Sequence, residues 1–368
     1  MNIGKVKISP GQLMGLIIGY MLGSSLFTGY MDIIAKQDAW IVIVISFITS
    51  APFFLSYIYL AKRFPGKTLI QMNDIVYGSY LGKLISVLYA AFILDIFAMN
   101  ISALADFYAV SIMPEMPKLI LMILFTLVGA YAVKKGIETI ARISWFAVAY
   151  SAVFVTISCL LLIGNMDFGN FLPVFQLSAK DYVQSTHIFS SIPFCNTVLF
   201  LMVFPALNDV KKIGKYSLGG FAVAGLILFI VSIRNTSVLG PSATIFTNAA
   251  YEATRLINIG EVLTRVELFI ALAITLVIFV KSCVMYYATV KSIGELFRVR
   301  SVSSLIIPAG IIAVIIAMVL FRSSAATDDY FSKYHPFFTI PFEFILPPLT
   351  LLIAKIRRLP GRTGGESA

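Results

Sequence analysis

Three ionisable residues stand inside otherwise apolar runs, where charge is expensive and seldom accidental: Asp95, Lys281 and Glu343. Asp95 lies 12 residues after Lys83, Lys281 ten before Lys291, and Glu343 12 before Lys355. At 1.5 Å per helical residue this puts each group ~15–18 Å inward of its flanking lysine, so the three share a depth. Two kinds of chemistry suit such a trio. A lysine–carboxylate contact can fix a bundle of helices; alternatively Lys281 takes the place of a coupling cation, or Asp95 or Glu343 exchanges a proton. Which carboxylate faces Lys281 is left open by spacing alone. Ser282 and Tyr286, four residues apart, share one face of their helix, and Asp95 and Met99 share another. Both faces are candidate pocket walls, although Ser and Tyr in a membrane helix also serve simply to bond a neighbour. Nucleophile–base pairs, paired catalytic carboxylates, metal-ligand spacings and a P-loop are all missing. With His187 and His335 as its two histidines, the chain is expected to be no enzyme and to carry no cofactor or metal. His187 reads as an interfacial residue without a special role.

The elements that must position these groups are membrane helices. Of 368 residues, 59% are hydrophobic and 12% charged, against about 25% charged in soluble domains. Ten spans are expected, at 9–35, 39–61, 83–110, 117–133, 140–164, 186–208, 215–239, 262–296, 301–321 and 336–356. Residues 66–80 read as a short polar helix or loop, and 165–185 as a loop along the outer surface. The stretch 241–261 reads as an amphipathic extracytoplasmic or re-entrant segment, with Ala250, Ala253, Leu256 and Ile257 alternating with Glu252, Arg255 and Asn258. With the N-terminus inside, 19 of the 28 Lys and Arg residues fall on the inner side, among them Lys5, Lys134, Lys135, Lys211, Lys212, Arg357 and Arg362. Seven fall outside: Lys36, Lys118, Lys180, Arg255, Arg265, Arg322 and Lys333. That asymmetry places both termini in the cytoplasm. It also explains the net charge of +10 without nucleic acid, since there is no soluble domain to carry a basic stripe. Arg234, 19 residues after Lys215, is expected near the outer surface, where its head can snorkel. Cys159, Cys195 and Cys283 lie in apolar runs and read as free thiols, and no cleavable signal peptide is expected.

Two spans look unfit to be continuous. In the first, Ser9 and Pro10 supply an N-cap and a first helical residue, but Gly19 to Ser25 holds two glycines and two serines in seven residues. An opened turn there would aim free N–H groups at an anion such as a carboxylate. Gly11, Gly15, Gly19 and Gly23 also recur every four residues, and a stripe of small residues equally lets a neighbouring helix approach closely. In the sixth span, Ser190-Ser191-Ile192-Pro193-Phe194-Cys195-Asn196-Thr197 gathers a proline and several polar groups. Ten helices divide five and five, with the second half inverted. Helices 1 and 6 then correspond, and paired interruptions of that kind point to a binding site of transporter type. The repeats are expected at 1–164 and 186–356.

Lys7-Ile8-Ser9-Pro10-Gly11-Gln12-Leu13, Ile192-Pro193-Phe194, Leu199 to Pro205, and above all Tyr251-Glu252-Ala253-Thr254-Arg255-Leu256-Ile257-Asn258-Ile259-Gly260 with Arg265-Val266-Glu267 resemble the B subunits of spore germination receptors, permease-like members of the amino acid–polyamine–organocation superfamily. The resemblance covers the whole chain. It implies an all-α polytopic protein of the LeuT type, a 5+5 inverted repeat with broken helices 1 and 6, in the inner membrane of an endospore. It implies A-type and lipoprotein C-type partner subunits and a small germinant, an amino acid, bound mid-membrane. Carried onto this chain, it points to Gly19, Gly23, Ser24 and Ser25, to Phe194, Cys195, Asn196 and Thr197, to Asp95, Met99 and Asn100, and to Ser282 with Tyr286. Relatives often have Gly-Glu after the Pro-Phe of helix 6, where this chain has Cys195-Asn196. The competing readings are a secondary amino acid transporter coupled to H⁺ or Na⁺, and a conduit for ions or water.

Overall fold

The computed structural model describes residues 7–246, 248–257, 267–323, 326–327, 330 and 334–359. Asn258, Gly260, Arg265 and Val266 of the motif above lie outside the described residues, as do Lys5, Lys333 and Arg362 of the charge count. The described chain is helical, apart from one isolated parallel bridge between Ile8 and Leu207. There the Ile8 N–H donates to the Ala206 carbonyl at 2.8 Å, pinning the N-terminal segment beside the end of the sixth expected span.

Helix α1 (Pro10–Leu22) starts at a capping box: Ser9 Oγ accepts from the Gln12 N–H and Gln12 Oε1 accepts from the Ser9 N–H, with Pro10 at the first position. After a short turn follow α2 (Thr28–Ala35), α3 (Ala39–Arg63, continuous through Pro52), α4 (Leu69–Tyr77), α5 (Leu81–Ser111), α6 (Lys118–Lys135) and α7 (Ile137–Leu161). The second half carries α8 (Ala179–Phe189), α9 (Ile213–Leu239), α10 (Ala249–Arg255), α11 (Glu267–Leu296), α12 (Ile306–Leu320), α13 (His335–Thr339) and α14 (Leu346–Ile356). Among the described residues, seven stretches are long and apolar enough to cross a bilayer: Asp32–Arg63, Leu81–Ser111, Ile137–Leu161, Val210–Ile245, Glu267–Leu296, Val302–Leu320 and Phe337–Ile356. The other expected spans fall on the divided α1–α2, on α6 with its three lysines, and on the interrupted chain from α8 to Ala206.

Helix α1 is buried along most of its length and packs against α7, α9 and α11, while α5 packs on the other side of α11. Outward-facing Leu127, Phe146, Leu226 and Ile311 are each more than half exposed. Large apolar side chains on the outside and polar ones such as Asn100, Asn196 and Lys281 within suit a lipid solvent.

Several expectations are corrected. The first break is not spread over 19–25: α1 stays helical to Leu22, the Gly23 N–H still bonds the Gly19 carbonyl at 2.9 Å, and the backbone departs only over Gly23–Phe27. The α1 glycines instead admit neighbours. Ser144 Oγ donates to the Gly15 carbonyl at 2.6 Å and the Trp145 indole to that of Gly11 at 3.0 Å. A Cβ on Gly19 would meet Ser144 Oγ at 2.5 Å, and one on Gly23 would meet both the Val277 carbonyl and Lys281 Cβ at 2.6 Å. The second interruption begins at Ser190, where the expected stretch begins, and runs on past Thr197 to Met202. Helix α8 already starts at Ala179, inside the expected outer loop, and gives way to a π-helical turn (Ser190–Phe194) and 3₁₀ turns (Cys195–Met202). The expected helix 10 contains a further π-helical turn, Ile340–Ile345, where Pro341 removes a backbone donor.

Arg234 does not snorkel. It is 2% exposed, because the chain after α9 folds back over it and the Ala250 carbonyl accepts from its guanidinium at 3.3 Å. The face that α10 buries is also not the expected one: Tyr251 and Thr254 are buried together with Ala253, whereas Leu256 is 49% exposed.

Candidate functional site

The close approach of Gly23 to Val277 brings the end of α1 against α11 one turn before Lys281. Lys281 is fully buried. Its side-chain nitrogen donates to Ser24 Oγ at 2.6 Å and to the Ile192 carbonyl at 3.4 Å, and Ser24 Oγ donates to the same carbonyl at 3.3 Å. The nitrogen lies 5.2 Å from the Tyr20 ring centre and 5.5 Å from that of Phe27, where aromatic faces stabilise a cation. One side chain of α11 therefore ties the break after α1 to the interruption after α8. The α-helical ladder is interrupted at both places: Ser24 lies in a turn, where its N–H bonds the Met21 carbonyl at 3.0 Å, and Ile192 lies in the π-helical turn.

A second tie runs beside it. Tyr20 OH donates to Asn196 Oδ1 at 2.9 Å and to the Asn196 carbonyl at 3.2 Å, while the Asn196 amide nitrogen has no partner among the described residues. Removing the Tyr20 hydroxyl would leave the buried Asn196 oxygen unpaired too. Tyr20→Phe is therefore expected to lower stability by about 1–3 kcal/mol, seen as a lower thermal unfolding midpoint of the detergent-solubilised protein. An unchanged midpoint would show that the hydroxyl does not fasten the two segments.

Glu343 approaches the same interruption from its far side. Ser191 Oγ donates to Glu343 Oε2 at 2.6 Å, while Oε1 is buried without a partner among the described residues. Tyr57 OH bonds the Glu343 carbonyl at 2.6 Å and Tyr89 OH the Phe342 carbonyl at 2.8 Å, satisfying two carbonyls of the π-helical turn. Lys281 and Glu343 thus hold adjacent residues, Ile192 and Ser191, from two sides. Neither carboxylate of the expected trio lies within 4.0 Å of Lys281, so the direct ion pair is not formed. Asp95 accepts from Tyr330 OH at 2.6 Å and lines a cavity of about 590 Å³ with Leu320, Tyr334 and Phe338.

The expected ligand residues separate accordingly. Ser24 bonds Lys281, Asn196 bonds Tyr20, whose ring centre lies 5.2 Å from the Lys281 nitrogen, and Gly23 provides the close contact that places α1 against α11. Met99 packs with Phe27, Ile188, Ile192 and Phe321 over one side of the break. Phe194 sits among Phe47, Phe189 and Phe221, with ring centres 5.3–5.8 Å away. Thr197 bonds back to the Phe194 carbonyl, Cys195 is buried, and Ser25 faces a separate cavity with Leu22 and Asp32. Asn100 spends its amide on Ser282 Oγ at 2.6 Å, which joins α5 to α11. Tyr286 is no wall of this gap: its ring stacks on Phe97 at 4.6 Å and its hydroxyl donates to the Ile306 carbonyl. Sequence reasoning missed Tyr20, Phe27, Ser191 and the Ile192 carbonyl. Tyr20 lay within the glycine-rich stretch, and only its spacing from Ser24, four residues on the same helical face, could have drawn it in.

A family model described as "Spore germination protein" matches residues 7–326. Two Bacillus subtilis (strain 168) proteins are similar over most of their length. Spore germination protein KB is 29% identical over 376 residues, covering 99% of each chain, and putative spore germination protein YfkT is 24% identical over 329 residues, covering 89% of this chain and 90% of that one. Among solved structures, the chain superposes on Mhp1, a nucleobase-cation-symport-1 family transporter with bromovinylhydantoin bound, with a TM-score of 0.70 at 12% identity, over 90% of this chain and 75% of that one. It superposes on MhsT in complex with L-phenylalanine with a TM-score of 0.69 at 12% identity, over 94% and 87%. These likenesses establish the LeuT-type fold.

Proposed function

We propose, for a chain that belongs to the spore germination permease family and is a multi-pass membrane protein of that kind, that it senses a small germinant in the gap between its two interrupted helices. The observation that carries this reading is the position of Lys281, whose one nitrogen joins Ser24 and Ile192 across the two breaks. A small amino acid is the ligand that fits this chemistry. Its carboxylate replaces Ser24 and Ile192 as the partner of Lys281, and its ammonium takes the released Ile192 carbonyl and the Asn196 side chain. Ligand binding then exchanges a tie within the protein for ties to the ligand. That exchange gives the two conformations different affinities, which a ligand-driven change requires.

The wider arrangement follows the same reading. The repeats lie at 1–164 and 186–356, completing ten spans, with 241–261 outside the membrane and both termini on the spore-core side of the inner membrane. A-type and lipoprotein C-type subunits receive the movement of α2 and α8. The transporter reading is kept because the structural neighbours include Mhp1, a transporter, and MhsT with an amino acid bound. Proteoliposomes loaded with an H⁺ or Na⁺ gradient separate the two. Saturable binding of a radiolabelled amino acid without accumulation is the expected result, and gradient-driven accumulation would replace sensing by transport.

A further inference from the structure

A second cavity, of about 70 Å³, lies apart from Lys281 among α2, α7, α9 and α11. Two opposite charges line it, Asp32 of α2 and Arg234 of α9, 7% and 2% exposed. They do not neutralise each other: among the described residues no carboxylate lies within 4.0 Å of Arg234, and no Lys or Arg within 4.0 Å of Asp32. The acceptors around the guanidinium are all neutral, namely Ser158 Oγ at 2.7 Å, Asn235 Oδ1 at 2.7 Å and the Ala250 carbonyl. A guanidinium and a carboxylate each withdrawn from water, facing one cavity without a mutual contact, lack the compensation that buried charges ordinarily have. A ligand bearing both signs would supply it. At the ~30 Å³ that a water occupies in the liquid, the cavity has room for about two waters, which makes glycine, the smallest zwitterion, the ligand nearest its size.

We propose that this cavity is a second binding site, taking a small zwitterion whose carboxylate meets Arg234 and whose ammonium meets Asp32. The rest of the lining fits a ligand with little side chain: Ala273, Ile274, Val277, Ile227 and Leu228 close the walls, and Ser151 and Ser232 are the small polar groups beside them. The site also touches the first break, since Leu22 and Ser25 line it and Ser25 follows the Ser24 that Lys281 holds. A zwitterion bridging α2 to α9 fixes α2 relative to the bundle and so bears on the gap without entering it.

Equilibrium dialysis of ¹⁴C-glycine against the full-length protein in nanodiscs tests this, with acetate and methylamine as ligands that keep one charge each. The expected result is that glycine binding persists in Lys281→Met, is weakened about tenfold or more by adding Arg234→Gln or Asp32→Asn, and is partly kept by Arg234→Lys. Asp32→Asn should in addition abolish the preference for glycine over acetate, which a merely structural role of Asp32 would not do. Thermal unfolding checks that each variant is folded, and Ser24→Ala replaces Lys281→Met if the latter is not. Glycine binding unchanged by both cavity variants, or absent once the Lys281 gap is disabled, would overturn the second site. Loss of the Lys281-dependent component alone bears on the first site and leaves this one standing.

Discussion

Lys281→Met is expected to weaken amino acid binding at the interrupted helices about 10- to 100-fold, the usual effect of losing a hydrogen bond to a charged group in a buried setting. Methionine nearly matches the lysine stem in volume, so the packing of α11 against Gly23 survives while the polar head is lost. The variant also frees Ser24 and the Ile192 carbonyl from their shared partner. Binding isotherms of a radiolabelled amino acid to the two proteins measure this directly. A variant that is folded and binds as tightly as the wild type would remove Lys281 from the site.

The second large effect falls on stability. Gly23→Ala puts a methyl group 2.6 Å from the Val277 carbonyl, part of a helix backbone that cannot turn aside, and 2.6 Å from Lys281 Cβ. Overpacking of this kind costs about 1–3 kcal/mol or more, so the thermal midpoint should drop sharply, and by more than for Gly11→Ala, whose nearest neighbour is Ser9 Oγ at 4.0 Å. Equal midpoints for the two variants would contradict the close approach of α1 to α11. The comparison also shows why a bulky residue at Gly23 is a poor probe of ligand binding: it would separate the helices before it blocked anything.

Much of this was legible from the residues. Glycines with serines, and a proline with serines and an asparagine, marked two segments where the α-helix is interrupted, and it is interrupted at Gly23–Phe27 and from Ser190 on. Rise per residue sets an expected depth for Asp95, Lys281 and Glu343 but says nothing of azimuth: a helix turns about 100° per residue, and small differences in where each helix starts decide which way a side chain faces. Asp95 consequently meets Tyr330, and Glu343 meets Ser191, instead of either meeting Lys281. The glycine stripe carried two physical readings, and the tertiary contact with α7 and α11 selected the packing one for Gly19. Arg234 looked peripheral because nothing local signals that the chain after α9 returns across it. The π-helical turn holding Glu343 did leave a trace in Pro341, Pro347 and Pro348, too many prolines for an uninterrupted helix.

The central claim is that a ligand acts by releasing the tie between the two interruptions, which must move α2 relative to α8. Spin labels at Ile33 on α2 and Val183 on α8, positions 46% and 71% exposed, report that distance without disturbing the gap. Double electron–electron resonance with and without a saturating amino acid that binds should show a shifted distance distribution in the otherwise native protein and in Arg234→Gln, which keeps the Lys281 site, and none once Lys281→Met is added to Arg234→Gln. Identical distributions with and without the bound amino acid in the otherwise native protein would contradict the account.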